Sequence, residues 1–221
     1  MAIVTMVLGE SGTGKSTSLR NFDPQNTLLI QSLRKPLPFR SPDWKPCVKD
    51  EDGNSTGNIF VSDKAATICS ALERAKQDII VIDDSQYIMA NEFMRGVTDE
   101  AKGNEQFMKF NRIAHNMWSI FNAASQLPDH KRVYFLSHVQ TDDHGKTKIK
   151  TVGKLLDEKI TPEGMVSIVL RTHVINGKYS FSTQNNGNDT VKSPLGMFES
   201  ESIDNDLNYV DQQICQYYGI N

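Results

Sequence analysis

The chain has only three cysteines, Cys47, Cys69 and Cys215, scattered and without CxxC spacing. That excludes a disulfide framework and a cysteine-ligated zinc site, and fits reduced thiols in a cytoplasmic protein. No apolar run approaches the roughly 20 residues that cross a bilayer, so a soluble protein without membrane contact is expected. Positive charge is not in excess either: 24 Lys and Arg stand against 27 Asp and Glu, a formal net charge of −3. This excludes a globally basic nucleic-acid binder and confines any such contact to a local patch. Internal repeats and low-complexity segments are also lacking. What remains is a chain of 221 residues, 38% of them hydrophobic. That is enough for one core, and a single domain over 1–221 is expected.

One run in this plain background carries chemistry. Gly9-Glu10-Ser11-Gly12-Thr13-Gly14-Lys15-Ser16 matches GxxxxGK[ST], and the strand-like Ile3–Leu8 runs directly into it. The apolar run ends at a glycine, the loop turns through Gly12 and Gly14, and Lys15–Arg20 can open a helix. Backbone N–H groups of such a loop converge on anionic oxygens at a helix N-terminus. Gly9 through Thr17 are therefore the expected phosphate cradle of a nucleoside triphosphate. Lys15 reaches its β- and γ-phosphates, and the Ser16 hydroxyl holds Mg²⁺. ATP and Mg²⁺ are the expected ligands.

The rest reads as alternating strands and helices. Thr27–Gln31 is a second strand, and Ser32–Gly57, rich in Pro, Asp and Gly, is a long loop or small insertion. Ile59–Ser62 is a short strand, and Asp63 is placed to N-cap a helix running through Gln77. Asp78–Asp84 has the form of a central parallel strand buried on both faces. Gln106–Gln126 carries Phe107, Phe110, Ile113, Met117, Phe121 and Ala124 at helical spacing, a core-facing stripe. Arg132–Ser137 is a further buried strand. Asn176-Gly177, between Met165–Val174 and Lys178–Gln184, marks a β-hairpin with a type I′ turn, and Leu207–Tyr218 closes the chain as a helix.

The second half of a nucleotide site is legible at Ile79–Asp83. Four apolar residues followed by a carboxylate at the strand's C-terminal end have the form of a Walker B strand, and ligands of open α/β sheets bind at that end. Asp83 would then hold Mg²⁺ opposite Ser16. Hydrolysis also requires a group that orients water. Asp84, beside the metal carboxylate, is the first candidate and Glu10 the second; Glu10 reads equally well as a solvated loop residue. His138 follows the Arg132–Ser137 strand, where it either touches the γ-phosphate or sits as a satisfied histidine at a sheet edge.

From Gly145 to Lys154 the chain carries Lys146, Lys148, Lys150 and Lys154 without an acid. A lysine run is usually a solvated face. This one follows the strand expected to sense the nucleotide, so it is also a candidate for phosphate-backbone contact with DNA. Interleaved aromatics are missing, which leaves base stacking unsupported.

The P-loop, IIVIDDSQ, FLSHVQ, and the later TVGKLLDEKI, KYSFSTQ and DTVKSPLGMF segments resemble a group of phage-encoded AAA-family ATP-binding proteins, core-only relatives of RecA. The likeness runs from Ile3 to about Phe198. It implies a RecA-like three-layer α/β P-loop NTPase domain with a mostly parallel central sheet and a C-terminal antiparallel hairpin. It further implies DNA-stimulated ATP hydrolysis in recombination, single-strand annealing or replication. Single-stranded DNA, a phage single-strand-binding or recombination protein, and a homo-oligomeric neighbour are the implied partners. In RecA-type assemblies a basic residue of the neighbouring subunit completes the site, and Lys192 and Arg171 are its candidates here. The family's usual catalytic glutamate after the second strand has no counterpart, since that place reads Gln31-Ser32-Leu33.

Two other classes fit the same motifs. A nucleotide-switched loader or regulatory ATPase would act on a protein partner. A nucleotide kinase would carry an arginine-rich lid, whereas Arg171 is the only arginine after Arg132.

Overall fold

The computed structural model describes residues 1–49, 55–97 and 104–220. The chain opens with β1 (Ile3–Leu8), the P-loop and a short 3₁₀ helix, Ser16–Asn21. This helix stops early for local reasons. The Ser18 hydroxyl donates to the Lys15 carbonyl at 2.5 Å, a bond that competes with regular helix, and Asp23-Pro24 cannot extend it. β2 (Thr27–Gln31) is buried at every position. The stretch Ser32–Gly57, expected as a long loop or small insertion, contains a small antiparallel ladder of β3 (Val48–Lys49) and β4 (Ser55–Thr56). Residues 50–54 of that stretch lie outside the described residues.

β5 (Ile59–Val61) leads to α1 (Ala65–Arg74), which is shorter than the expected Asp63–Gln77. Asp63 does not cap it. Its carboxylate accepts instead from Asn91 Nδ2 at 2.8 Å and Arg95 Nη1 at 2.6 Å. A charge-assisted bond to a guanidinium outcompetes a neutral backbone N–H. β6 (Ile79–Asp83) is followed at once by α2 (Gln86–Arg95), a helix that no side-chain cap marks in the sequence. α3 (Asn104–Gln126) buries Ile113, Met117, Ile120, Phe121 and Ala124 as the stripe predicts. The side chain of Phe107 lies outside the described residues.

β7 (Arg132–Ser137) continues into a hairpin of β8 (Val139–Thr141) and β9 (Thr147–Ile149). A π-helical turn, Leu155–Ile160, and a 3₁₀ turn, Pro162–Met165, lead to β10 (Ile168–Ile175) and β11 (Lys178–Ser182). The link between them is Asn176-Gly177, with φ of 52° and 76°, the positive pair that a type I′ turn requires. β12 (Ser202–Asp204) and α4 (Leu207–Tyr218) complete the chain.

The main sheet has the order β12-β11-β10-β1-β7-β6-β2-β5. The strands from β10 to β5 are parallel, and β11 and β12 add on antiparallel. Alternate side chains feed two cores. Met6, Leu8, Ile80, Ile82 and Phe135 pack against α1, α2 and α3. Val7, Val81, Tyr134 and Leu136 pack against the 3₁₀ helix and α4. This is why the central strands read as continuous apolar runs rather than alternating ones. The result is a three-layer P-loop NTPase fold, RecA-like in its mostly parallel sheet with an antiparallel C-terminal hairpin. β7 lies between the P-loop strand and the Walker B strand, pairing Ser137 with Leu8 and Phe135 with Ile82. The C-terminal ends of β1, β7 and β6 therefore meet at one edge of the sheet.

Candidate nucleotide-binding site

The P-loop leaves β1 with Gly12 and Gly14 at φ of 81° and 92°, a region open to glycine and strained for other residues. Gly9 is required for a different reason. A Cβ there would lie 1.8 Å from Thr172 Oγ1 of β10, which packs the loop against the sheet. Thr13 Oγ1 is bonded to the same Thr172 hydroxyl at 2.5 Å. The loop is thus clamped from the β10 side, by a residue that the sequence does not single out.

Lys15 is buried, and its ammonium donates to the carbonyls of Gly9 at 2.9 Å and Glu10 at 2.8 Å. Burial lowers its pKa, and the nearby Asp84 and Asp83 oppose that shift. Two of its three donors are engaged by its own loop, so one remains for a ligand oxygen. Ser16 Oγ bonds both oxygens of Asp83, at 2.9 and 3.0 Å. Asp83 is almost wholly enclosed, and burial together with the adjacent Asp84 raises its carboxyl pKa.

Asp84 has the backbone φ of 55° that is uncommon outside glycine, and this turns its side chain into the site. It is paired with the Lys35 ammonium, and His138 Nε2 lies 3.6 Å from Oδ1. Burial alone would raise its pKa; bonds from His138 and Lys35 outweigh burial and bring it down to about 2. Lys35 also lies 3.8 Å from Asp83. Burial works against its charge, but the two carboxylates hold its pKa above the usual value. His138 stacks edge-on against Tyr87 and faces the cleft.

Together Ser11, Gly12, Gly14, Lys15, Ser16 and Thr17 line one side of an open cleft of about 250 Å³, with Lys35, Asp84 and His138 across from them. Pro36, Pro38 and Tyr179 supply its apolar surface. Lys35, Thr172 and Tyr179 were not recognisable as site residues. The one available signal for Lys35 was its place shortly after a buried parallel strand, at the sheet edge where ligands bind. The donor set suits a magnesium nucleotide: glycine-only backbone for close approach, a spare ammonium donor, and a hydroxyl beside a carboxylate for a hard cation.

Other candidate residues lie elsewhere. Glu10 is exposed and pairs with Arg171 at 3.5 Å, and Arg171 also lies 3.8 Å from Asp189. Within its own chain Arg171 therefore links the P-loop residue Glu10 to Asp189. Lys192 is half-buried, and its backbone pairs with Val169. The lysine run is not a simple loop. Lys146, Lys148 and Lys150 alternate with the buried Thr147 and Ile149, so they share one face of β9. Lys148 is bonded to Asp157 at 2.8 Å, and Lys154 lies 3.6 Å from Glu158. Among the described residues, Lys146 and Lys150 are exposed and have no ion pair.

The strand–loop–helix with Lys15, facing a Walker B carboxylate across β7, defines the P-loop NTPase fold. No protein-family model matches the chain, and no curated protein does. Among solved structures it is similar to the ATPase DotB of Legionella pneumophila, at 14% identity and a TM-score of 0.35, over 79% of this chain and 41% of that one. It is also similar to a DnaB-like replicative helicase, at 14% identity and a TM-score of 0.45, over 81% of this chain and 51% of the helicase. The chain spans about half the length of these proteins or less. No helix is long and apolar enough to cross a membrane among the described residues.

Proposed function

We propose that the chain binds ATP with Mg²⁺ at this cleft and hydrolyses it. The observation that carries this reading is the bond of Ser16 to both oxygens of Asp83, next to a loop whose lysine is held in place by its own carbonyls. Lys15 and the loop N–H groups bind and orient the phosphates, and Ser16 and Asp83 hold the cation. Bound Mg²⁺ supplies Lewis-acid neutralisation of the phosphate oxygens. In the nucleotide-free site His138 and Lys35 hold the Asp84 carboxyl down to about 2, so it is charged there and a poor proton acceptor. Its role is to orient water, in company with His138. Glu10 is the alternative orienting carboxylate. Pro36, Pro38 and Tyr179 offer apolar contact to the nucleoside end.

Titration with ATP and Mg²⁺ tests the reading. Wild type binds, and Lys15→Ala loses binding and turnover while keeping its fold. Wild-type affinity in the variant would reject the assignment.

The finer reading follows the sequence resemblance. The protein is a phage-type ATPase of the host cytoplasm that acts on single-stranded DNA in recombination, annealing or replication. It works there with a single-strand-binding or recombination protein and with further copies of itself. The lysine face of β9 supports DNA contact, because Lys146 and Lys150 present unpaired charge on either side of β9 and the Lys150 N–H donates to the His138 carbonyl at 2.8 Å. Comparing ATP turnover with and without single-stranded DNA tests this reading. Equal rates would favour a loader ATPase acting on a protein.

A further inference from the structure

Lys35 stands out because it is a cation built into the place where the nucleotide site concentrates negative charge. Asp83 and Asp84 are adjacent carboxylates, both buried, at the end of β6. Two such groups taken out of water are costly unless cations face them. Lys35 faces both, bonded to Asp84 and 3.8 Å from Asp83.

Its position is constructed by the chain around it. Gln31 Nε2 donates to the Lys35 carbonyl at 3.0 Å, and Ser32 Oγ donates to the Asp83 carbonyl at 3.2 Å, which ties this strap to β6. Pro36 biases Lys35 toward extended backbone. Beyond it, Leu37 and Phe39 pack into the α4-side core while Pro36 and Pro38 face the cleft. The backbone is therefore anchored on both sides of Lys35. The side chain keeps 39% exposure and a long flexible stem.

We propose that Lys35 is a resident counter-ion that exchanges partners when the nucleotide loads. In the nucleotide-free protein its ammonium neutralises Asp83 and Asp84. When Asp83 engages Mg²⁺ and ATP fills the cleft, Lys35 is released from the carboxylates and turns to the terminal phosphate. ADP lacks that phosphate, so Lys35 selects ATP over ADP and links the strap to the presence of the γ-phosphate. No bond is made or broken in the exchange. The ATP part rests on the function proposed above; the counter-ion part does not.

The test uses Lys35→Met in two measurements. The first is thermal melting of the nucleotide-free protein with and without Mg²⁺. Wild type is insensitive to the cation, whereas the variant melts lower and regains stability as Mg²⁺ takes over the uncompensated carboxylates. The second is titration with a non-hydrolysable ATP analogue and with ADP. The variant loses about tenfold for the analogue, the size of one charge-assisted hydrogen bond, and keeps ADP affinity. A variant that ignores Mg²⁺, or an unchanged ratio of analogue to ADP affinity, overturns the proposal. If Lys35→Met does not fold, the double variant Lys35→Met/Asp84→Asn removes the excess charge. It is expected to fold and to lose the Mg²⁺ response, and a double variant as unstable as the single one also overturns the proposal. The melting arm contains no nucleotide, so it reads the counter-ion even if wild type bound no ATP. Wild-type titration reads that separately.

Discussion

At the scale of single residues, the two carboxylates at the end of β6 are neighbours with different work. Asp83 is enclosed and bonded to Ser16, while Asp84 is turned by its positive φ toward Lys35 and His138. Asp83→Asn is expected to weaken Mg²⁺-dependent nucleotide binding. Asp84→Asn is expected to spare binding and lower kcat by roughly 10²–10⁴-fold, the usual loss when a group that acts in the transition state is removed. Binding and single-turnover assays on both variants separate the two, and normal turnover of Asp84→Asn would pass the role to Glu10. Lys15, Ser16 and Asp83 were legible because each sits within a few residues of a strand end, inside a motif whose spacing is dictated by phosphate and cation geometry. Lys35 and Thr172 were not. Lys35 reaches the site across 49 positions of sequence, and Thr172 reaches Thr13 across 159. Only strand order brings such residues together.

At the scale of elements, legibility followed burial. β2, β6, β7 and α4 were readable because strands buried on both faces are unbroken apolar runs and α4 has a clean stripe. α2 was missed because Gln86–Arg95 follows β6 with no side-chain cap and opens its buried face on a polar residue, Gln86, and β8–β9 because strands of three residues are too short to show an alternation. That hairpin changes what the lysines can do. Four free lysines on single-stranded DNA would contribute a slope of about −2.8 to log K against log salt, at about 0.7 per contact. With Lys148 and Lys154 paired to Asp157 and Glu158, Lys146 and Lys150 alone contribute about −1.4 by the same rule. Fluorescence titrations across salt, with ATP present, are expected to lose that share in Lys146→Ala/Lys150→Ala on every DNA sequence alike. Lys148→Ala/Lys154→Ala is expected to change the slope little. The reverse pattern would show that DNA displaces the internal ion pairs.

At the scale of the whole molecule, the second layer is closed by a buried polar clip between β7 and α4. Asp211 accepts from Arg132 Nε at 3.0 Å, from Arg132 Nη2 at 3.1 Å and from the Tyr134 hydroxyl at 2.5 Å. Removing the carboxylate leaves a buried guanidinium without its partner, so Asp211→Ala is expected to cost about 3–5 kcal/mol. The hydroxyl gives a pH signature that packing alone lacks. Burial, with Asp211 beside it, holds the Tyr134 pKa well above the ordinary 10.0. Below that value the phenol is protonated in both folded and unfolded chains, and its contribution is complete. Above it the unfolded chain releases the proton and the folded chain does not. Stability then falls by about 1.4 kcal/mol per pH unit for that one proton. In a chain of this size each kcal/mol moves Tm by about 2–4 °C. Wild type is therefore expected to melt above Tyr134→Phe at pH 8, because the phenol donates to a carboxylate, and the gap is expected to narrow between pH 10 and 11. The exposed Tyr179, Tyr209, Tyr217 and Tyr218 are common to both proteins and cancel in the difference. Melting curves of the pair from pH 8 to 11 measure it. A gap that stays constant across that range would mean that Tyr134 ionises as readily in the folded protein as in the unfolded chain, and that the clip does not withhold it from water.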